Sequence, residues 1–228
     1  MRKRLASLTP LAALALSGAF SAALLFARVQ YTGRVTYAFL LWNLVLAALP
    51  IILAHAAIWW HNRHGAGLPL AAVGLLWLLF FPNAPYIVTD FLHLKPRGNV
   101  PLWYDCVLLF SFAWNGALFG FYSLRLMHAL AQKIMGRAAG WLFVLGVCVL
   151  SGLGVYLGRF ERWNSWDLVR KPAPLLVSAM NKVLDLDDHP RTAGIILVFS
   201  AFLVSGYGIY YSAGRPIPRI ARREKAAA

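Results

Sequence analysis

Six long apolar runs constrain this chain more than any motif in it. They lie at about 8–27, 37–60, 68–81, 102–127, 141–158 and 193–211. A helix needs about 20 apolar residues to cross roughly 30 Å of hydrocarbon, and all of the runs except the third approach or pass that length. Of the 228 residues, 60% are apolar and only 13% are charged. A soluble domain carries about 25% charged residues and cannot hide so much apolar surface. The fold expected is all-α: a polytopic transmembrane helix bundle of about six spans. It forms one membrane domain over 1–228, ending in a basic cytoplasmic tail over 212–228.

The formal net charge is +14. In a soluble protein that would point to nucleic acid. Here the basic residues sit in loops and tails between apolar runs, where orientation and anionic lipid account for them. The partners expected are membrane lipids, with no nucleic acid. With the N-terminus inside, 12 Lys and Arg fall on the cytoplasmic side and 10 on the other. The basic start, Met1-Arg2-Lys3-Arg4, and the tail from Arg215 to Lys225 decide the matter. Both termini are read as cytoplasmic, which requires an even number of spans. The first run is longer than the roughly 7–15 residues of a signal core, so it is read as an uncleaved span. Cys106 and Cys148 both lie inside apolar runs and show no disulfide or zinc spacing.

The fifth loop, 159–192, is long. In it Leu175, Leu176, Ala179, Met180, Val183 and Leu184 recur at helical spacing after Pro172 and Pro174. This predicts an amphipathic helix lying on the interface. Gly116 and Gly120 are four apart, as are Gly154 and Gly158. Small residues at that spacing let helices approach closely.

Two segments interrupt the apolar pattern. The first runs from Phe81 through Pro82, Asn83 and Pro85 to Asp90, His93 and Leu94. The third run has only 14 residues before Pro82, about 21 Å of helix. Pro82 and Pro85 lack N–H donors and disfavour helix at the residues before them. The expectation is a broken, irregular backbone that begins within the hydrocarbon, where it must be buried in protein or line a wet cavity. The second segment, Gly158 to Asp167, holds Arg159, Glu161, Arg162, Trp163, Asn164 and Trp166.

Both segments follow odd-numbered spans, so they share one membrane face. Asp105, in the first turn of the fourth span, shares it too. The candidate polar site is Asn83, Asp90, His93, Asp105, Arg159, Arg162, Asn164 and Asp167. Clustered ionisable groups at membrane depth are functional by default. Arg159 and Arg162 suit a phosphate or carboxylate. Asp90 and His93 are three apart and share a helix face, which suits acid–base work, or metal binding together with Asp105. No known metal-ligand spacing is present, so no metal site is assigned and the cofactor is left unknown. The competing reading is structural. Thr89 caps a short helix, Asn164 with Asp167 forms a capping box, the tryptophans form an aromatic belt, and an arginine clasps Asp90 or Asp105. Asn43, His55, Ser111 and Asn115 within spans read as interhelical hydrogen bonds, with Asn115, Asp105 and Asn43 a possible polar path.

At the two polar segments the chain resembles DUF1361, a family of uncharacterised bacterial and archaeal integral membrane proteins. The stretches that carry the resemblance are FFPNAPYIVTDFLHL, from Phe80 to Leu94, and YLGRFERWNSWDLV, from Tyr156 to Val169. Glu161 stands where an apolar residue is expected. The resemblance implies a multi-pass protein of the bacterial inner membrane and no particular reaction. Three functions stay open: a structural or accessory membrane protein, an enzyme acting on lipid-linked or envelope substrates, and a small-solute transporter.

Overall fold

The structure, a computed structural model, describes residues 9–163, 167–170, 173–175, 177, 178, 180 and 190–214. Within these the long helices are α1 (Pro10–Thr32), α2 (Phe39–His64), α3 (Leu68–Phe80), α5 (Leu102–Met135), α6 (Arg137–Phe160) and α8 (Pro190–Ala213). The short helix α4 (Asn83–Tyr86) and a 3-10 helix, Ile87–His93, follow α3, and α7 (Asp167–Arg170) follows α6. Six spans are long and apolar enough to cross a membrane, the third running from Leu68 to His93. The chain is a multi-pass membrane protein. The predicted amphipathic helix in the fifth loop falls largely outside the described residues.

Local chemistry explains the helix ends. Thr9 caps α1, its hydroxyl accepting from the Ala12 N–H at 3.2 Å, and Pro10 follows at the first helical position. There its missing N–H removes no intrahelical bond. At the other end Gly33 takes φ 65° and returns its N–H to Val29, a left-handed stop that glycine adopts without a Cβ penalty.

Helix α5 is the axis of the bundle. In its most apolar 18-residue stretch 67% of residues are buried, against 17–39% in the other five spans. It packs against α1, α2, α4, α6 and α8. Around its C-terminal half a core gathers Trp77, Phe81, Cys148, Leu203 and Tyr207. Around its N-terminal half Tyr37, Leu40, Ile87, Leu108 and Phe112 pack together.

The third span corrects an expectation. Phe81, before Pro82, stays helical at φ −57° and ψ −40°. Pro82 itself has φ −60° and ψ −20°. The chain does not become irregular: it tightens from α to 3-10 and so runs on to His93. Pro82 and Pro85 fall just before and within the first turn of α4, where an absent N–H is tolerated. The span is therefore not too short. Its 19 residues to Tyr86 and seven in the 3-10 helix trace about 40 Å.

The glycine pairs explain why this segment can sit inside the bundle. A Cβ on Gly116 would lie 2.5 Å from the Ala84 carbonyl oxygen, and one on Gly120 3.2 Å from the Ala84 Cβ. A Cβ on Gly154 would meet Pro82 at 2.8 Å, and one on Gly158 would meet Tyr86 at 3.3 Å. Both pairs thus press on the same few residues, from α5 on one side and α6 on the other. The Pro82–Tyr86 turn is wedged between two helices stripped of side chains.

Candidate functional site

At one end of the bundle, the Asp90 end, the 3-10 helix presents Asp90 and His93 on one face, as its three-residue turn requires. Asp90 is 1% exposed. It accepts a hydrogen bond from the Asn43 amide at 2.8 Å and is paired with Arg159 at 3.5 Å. The other guanidinium nitrogen of Arg159 lies 3.2 Å from His93 Nε2. Since Arg donates only, Nε2 is the acceptor, and its lone pair is engaged rather than free for proton abstraction. The His93 ring packs edge-on to Phe39, centroids 5.2 Å apart. Asn43, His93, Asp90 and Arg159 thus join α2, the 3-10 helix and α6.

Asp105 lies elsewhere. Its carboxylate takes two bonds from Arg28 of α1, at 2.6 and 3.0 Å. Both side chains are 2% exposed. A bidentate guanidinium–carboxylate pair of this kind is the strongest ionic geometry available to side chains. Tyr37 connects the two pairs. Its hydroxyl donates to the His93 carbonyl at 3.2 Å, and the Arg28 and Arg97 guanidinium groups lie 4.6 and 5.6 Å from its ring centroid. Burial pushes the Tyr37 hydroxyl above its ordinary pKa; Asp105 adds to this, while Arg97 and Arg28 oppose it.

The other candidate residues divide as follows. Asn83 donates to the Phe80 carbonyl at 2.9 Å, at the end of α3. Arg162 is exposed and turns the chain after α6 at φ 61°, and the Trp163 N–H then reaches back to the Leu157 carbonyl. Asp167 opens α7 and is half-buried. Asn164 lies outside the described residues, and with it the capping box. Thr89 is not a cap: its hydroxyl donates to the Tyr86 carbonyl within the 3-10 helix. Glu161 accepts from the Trp163 indole and the Ser178 hydroxyl. The polar path dissolves into separate contacts. Asn43 goes to Asp90, Asp105 to Arg28, and Asn115 to Ser17, Ser21 and Ser111. Among the described residues no three His, Cys, Asp or Glu side chains gather as a metal site.

Beside the Asp90 cluster a cleft of about 530 Å³ opens between α2, α3 and α6. Trp42, Leu46, Leu75, Leu79 and Leu153 form its apolar walls, and Asn43, Asn83, Tyr86 and Trp163 also line it. The lining runs from Leu75 to Pro82 along one helix and from Leu150 to Gly158 along another, about 10–12 Å of depth. Trp42, Leu75 and Leu150 remain at least half exposed, so the cleft opens on the outside of the bundle. Asn43 is the link: one side chain lines the cleft and donates to Asp90.

One cluster had no signal in the sequence reading. At the opposite end of the bundle the ring nitrogens of His128 lie 2.7 Å from the Tyr207 hydroxyl and 2.9 Å from the Gln132 amide. Trp141 and Tyr211 pack around it. Only the four-residue spacing of His128 and Gln132 on one helix face was available to suggest it.

No curated protein and no solved structure matches the chain. Residues 42–211 match the family described as "Protein of unknown function (DUF1361)". That stretch takes in both polar segments and the whole of the cleft up to Leu175. The chain therefore belongs to the DUF1361 family.

Proposed function

We propose that this membrane protein binds a lipid or lipid-linked molecule, with an acyl chain in the cleft between α2, α3 and α6 and the polar group beside Asn43. The observation that carries this reading is the cleft's position. Its walls are apolar, its mouth opens where a membrane protein meets hydrocarbon, and its depth of about 10–12 Å is most of one leaflet's share of the roughly 30 Å core. The hydrocarbon chain is the solvent that surrounds such a groove. At the Asp90 end, Asn43 and Trp163 supply amide and indole groups of the kind that sit at the headgroup level. The basic start and tail put both termini in the cytoplasm, so this end faces outward. The Asp90–Arg159–His93 group fixes Asn43 rather than performing chemistry, since its charges and the His93 lone pair are engaged with one another.

The test is lipid retention. Purified protein carries co-purifying lipid, quantified by native mass spectrometry after mild detergent extraction. Leu153→Trp, which fills the cleft, lowers the bound lipid to less than half that of the parent protein. Leu142→Trp, at an exposed position on the same helix and outside the cleft lining, leaves it unchanged. Equal retention by both variants would overturn the reading.

A further inference from the structure

A second depression, of about 720 Å³, lies where the loop between α1 and α2 meets the loop before α5. It is separate from the cleft in lining residues and in character. Arg28, Thr32, Arg34, Thr36, Arg97 and Asn99 line it, and among the described residues no carboxylate does. We propose that this depression binds a phosphate group, as a phosphomonoester or phosphodiester.

The charge balance points there first. Arg28 is cancelled by Asp105 behind it. Among the described residues the ion pairs are Arg28–Asp105 and Arg159–Asp90, so within that set Arg34 and Arg97 face the depression with no carboxylate partner. Two guanidinium groups facing one concavity suit a dianion or a strongly acidic monoanion, and their planar forks match phosphate oxygens. Thr36 and Asn99 also line the depression and can add a hydroxyl and an amide as neutral donors.

One of the two exposed arginines is also held by a contact, and the backbone that carries the other is fixed. The Arg97 guanidinium rests over the Tyr37 ring, which is fully buried and therefore a fixed plate. The Thr32 hydroxyl donates to the Arg28 carbonyl at 2.8 Å and accepts from the Arg34 N–H at 3.2 Å, which sets the backbone that carries Arg34. Gly33 and Gly98 turn the two loops at φ 65° and 59°. A preorganised guanidinium loses less freedom on binding than one on a free surface. The volume admits a phosphate together with part of what it is attached to.

The experiment uses the full chain in maltoside micelles, which carry no phosphate. Glycerol 3-phosphate is titrated by calorimetry, and phosphatidylglycerol added to the micelles is followed by native mass spectrometry. The wild type binds at least one of the two saturably. Arg34→Gln and Arg97→Gln each weaken that binding by roughly ten- to a hundredfold, the size of one charged hydrogen bond. Arg63→Gln, which removes the same charge at the far end of α2, leaves it unchanged. Thermal midpoints within the wild-type range establish that the variants are folded. Binding of phosphatidylglycerol alone identifies a lipid headgroup as the source, and binding of glycerol 3-phosphate alone a soluble ester. The proposal is overturned if neither probe binds the wild type, or if Arg97→Gln and Arg63→Gln behave alike.

Discussion

Arg28–Asp105 and Arg159–Asp90 join the same two functional groups at the same end of the bundle, in different settings. The first closes at 2.6 Å with both side chains 2% exposed. The second stands at 3.5 Å, with Arg159 13% exposed and its guanidinium shared with His93. A closed bidentate pair spends all its geometry on one partner and holds α1 to α5. A looser pair divides its carboxylate between a guanidinium and the Asn43 amide, which reaches into a cleft. The contrast shows how one end of a membrane bundle can keep a fixed strut and an adaptable contact side by side.

The largest expected effect comes from Asp105→Asn. It strands the Arg28 charge in a buried position, which costs about 3–5 kcal/mol. Thermal unfolding in detergent should show it as a loss of midpoint and of folded yield. The double change Arg28→Met with Asp105→Leu should restore much of the loss, because an apolar pair needs no counter-charge. A single-variant cost below about 1 kcal/mol would mean that water reaches the pair after all, and the comparison would break.

Asp90→Asn should cost less, about 1–3 kcal/mol, since the partly exposed Arg159 can turn toward water. It should still reduce co-purifying lipid, which Arg63→Gln should not. If Asp90→Asn destabilises as much as Asp105→Asn, the two pairs are equivalent and the distinction is lost. Gly116→Ala probes what positions Asp90. Its Cβ meets the Ala84 carbonyl at 2.5 Å, and overpacking of this kind costs about 1–3 kcal/mol. Gly74→Ala, with nothing within 4 Å, should be neutral or slightly stabilising. A small effect of the opposite sign belongs to Arg162→Gly. Arg162 is exposed at φ 61°, so glycine there relieves about 1–2 kcal/mol of left-handed strain against about 0.5–1 kcal/mol of added chain entropy, a small net gain in stability. A destabilised Arg162→Gly protein would show that this side chain belongs to the cluster.

Much of the bundle was legible because membrane spans announce themselves in composition. Apolar runs of sufficient length have few other uses, and the six helices follow them. The third span was misread for a physical reason. Proline breaks a helix interior but is accepted in the first turn of a new helix, and the apolar run gave no sign that a new helix begins at Asn83, where Pro82 and Pro85 then stand just before and within its first turn. The glycine spacings pointed to close packing, yet nothing in the sequence could show that both pairs face one segment. Arg28 directly follows the first apolar run, as a loop cation would. Its partner lies 77 positions away, and long-range pairing leaves no periodic trace. The same holds for Asn43 and Asp90, 47 apart, and for His128 and Tyr207, 79 apart.

The buried Arg28–Asp105 pair also has a consequence in time. The ribosome makes Arg28 well before Asp105, which lies 77 positions further along the chain. At roughly 5–20 residues per second that interval is about 4–15 s. During it α1 carries a full charge with no counter-ion. A long side chain in that position keeps its head in water by bending toward the nearer surface. The main packing partner of α1 is α5, so the first helix gains its counter-ion only when the fourth of the six spans has been made.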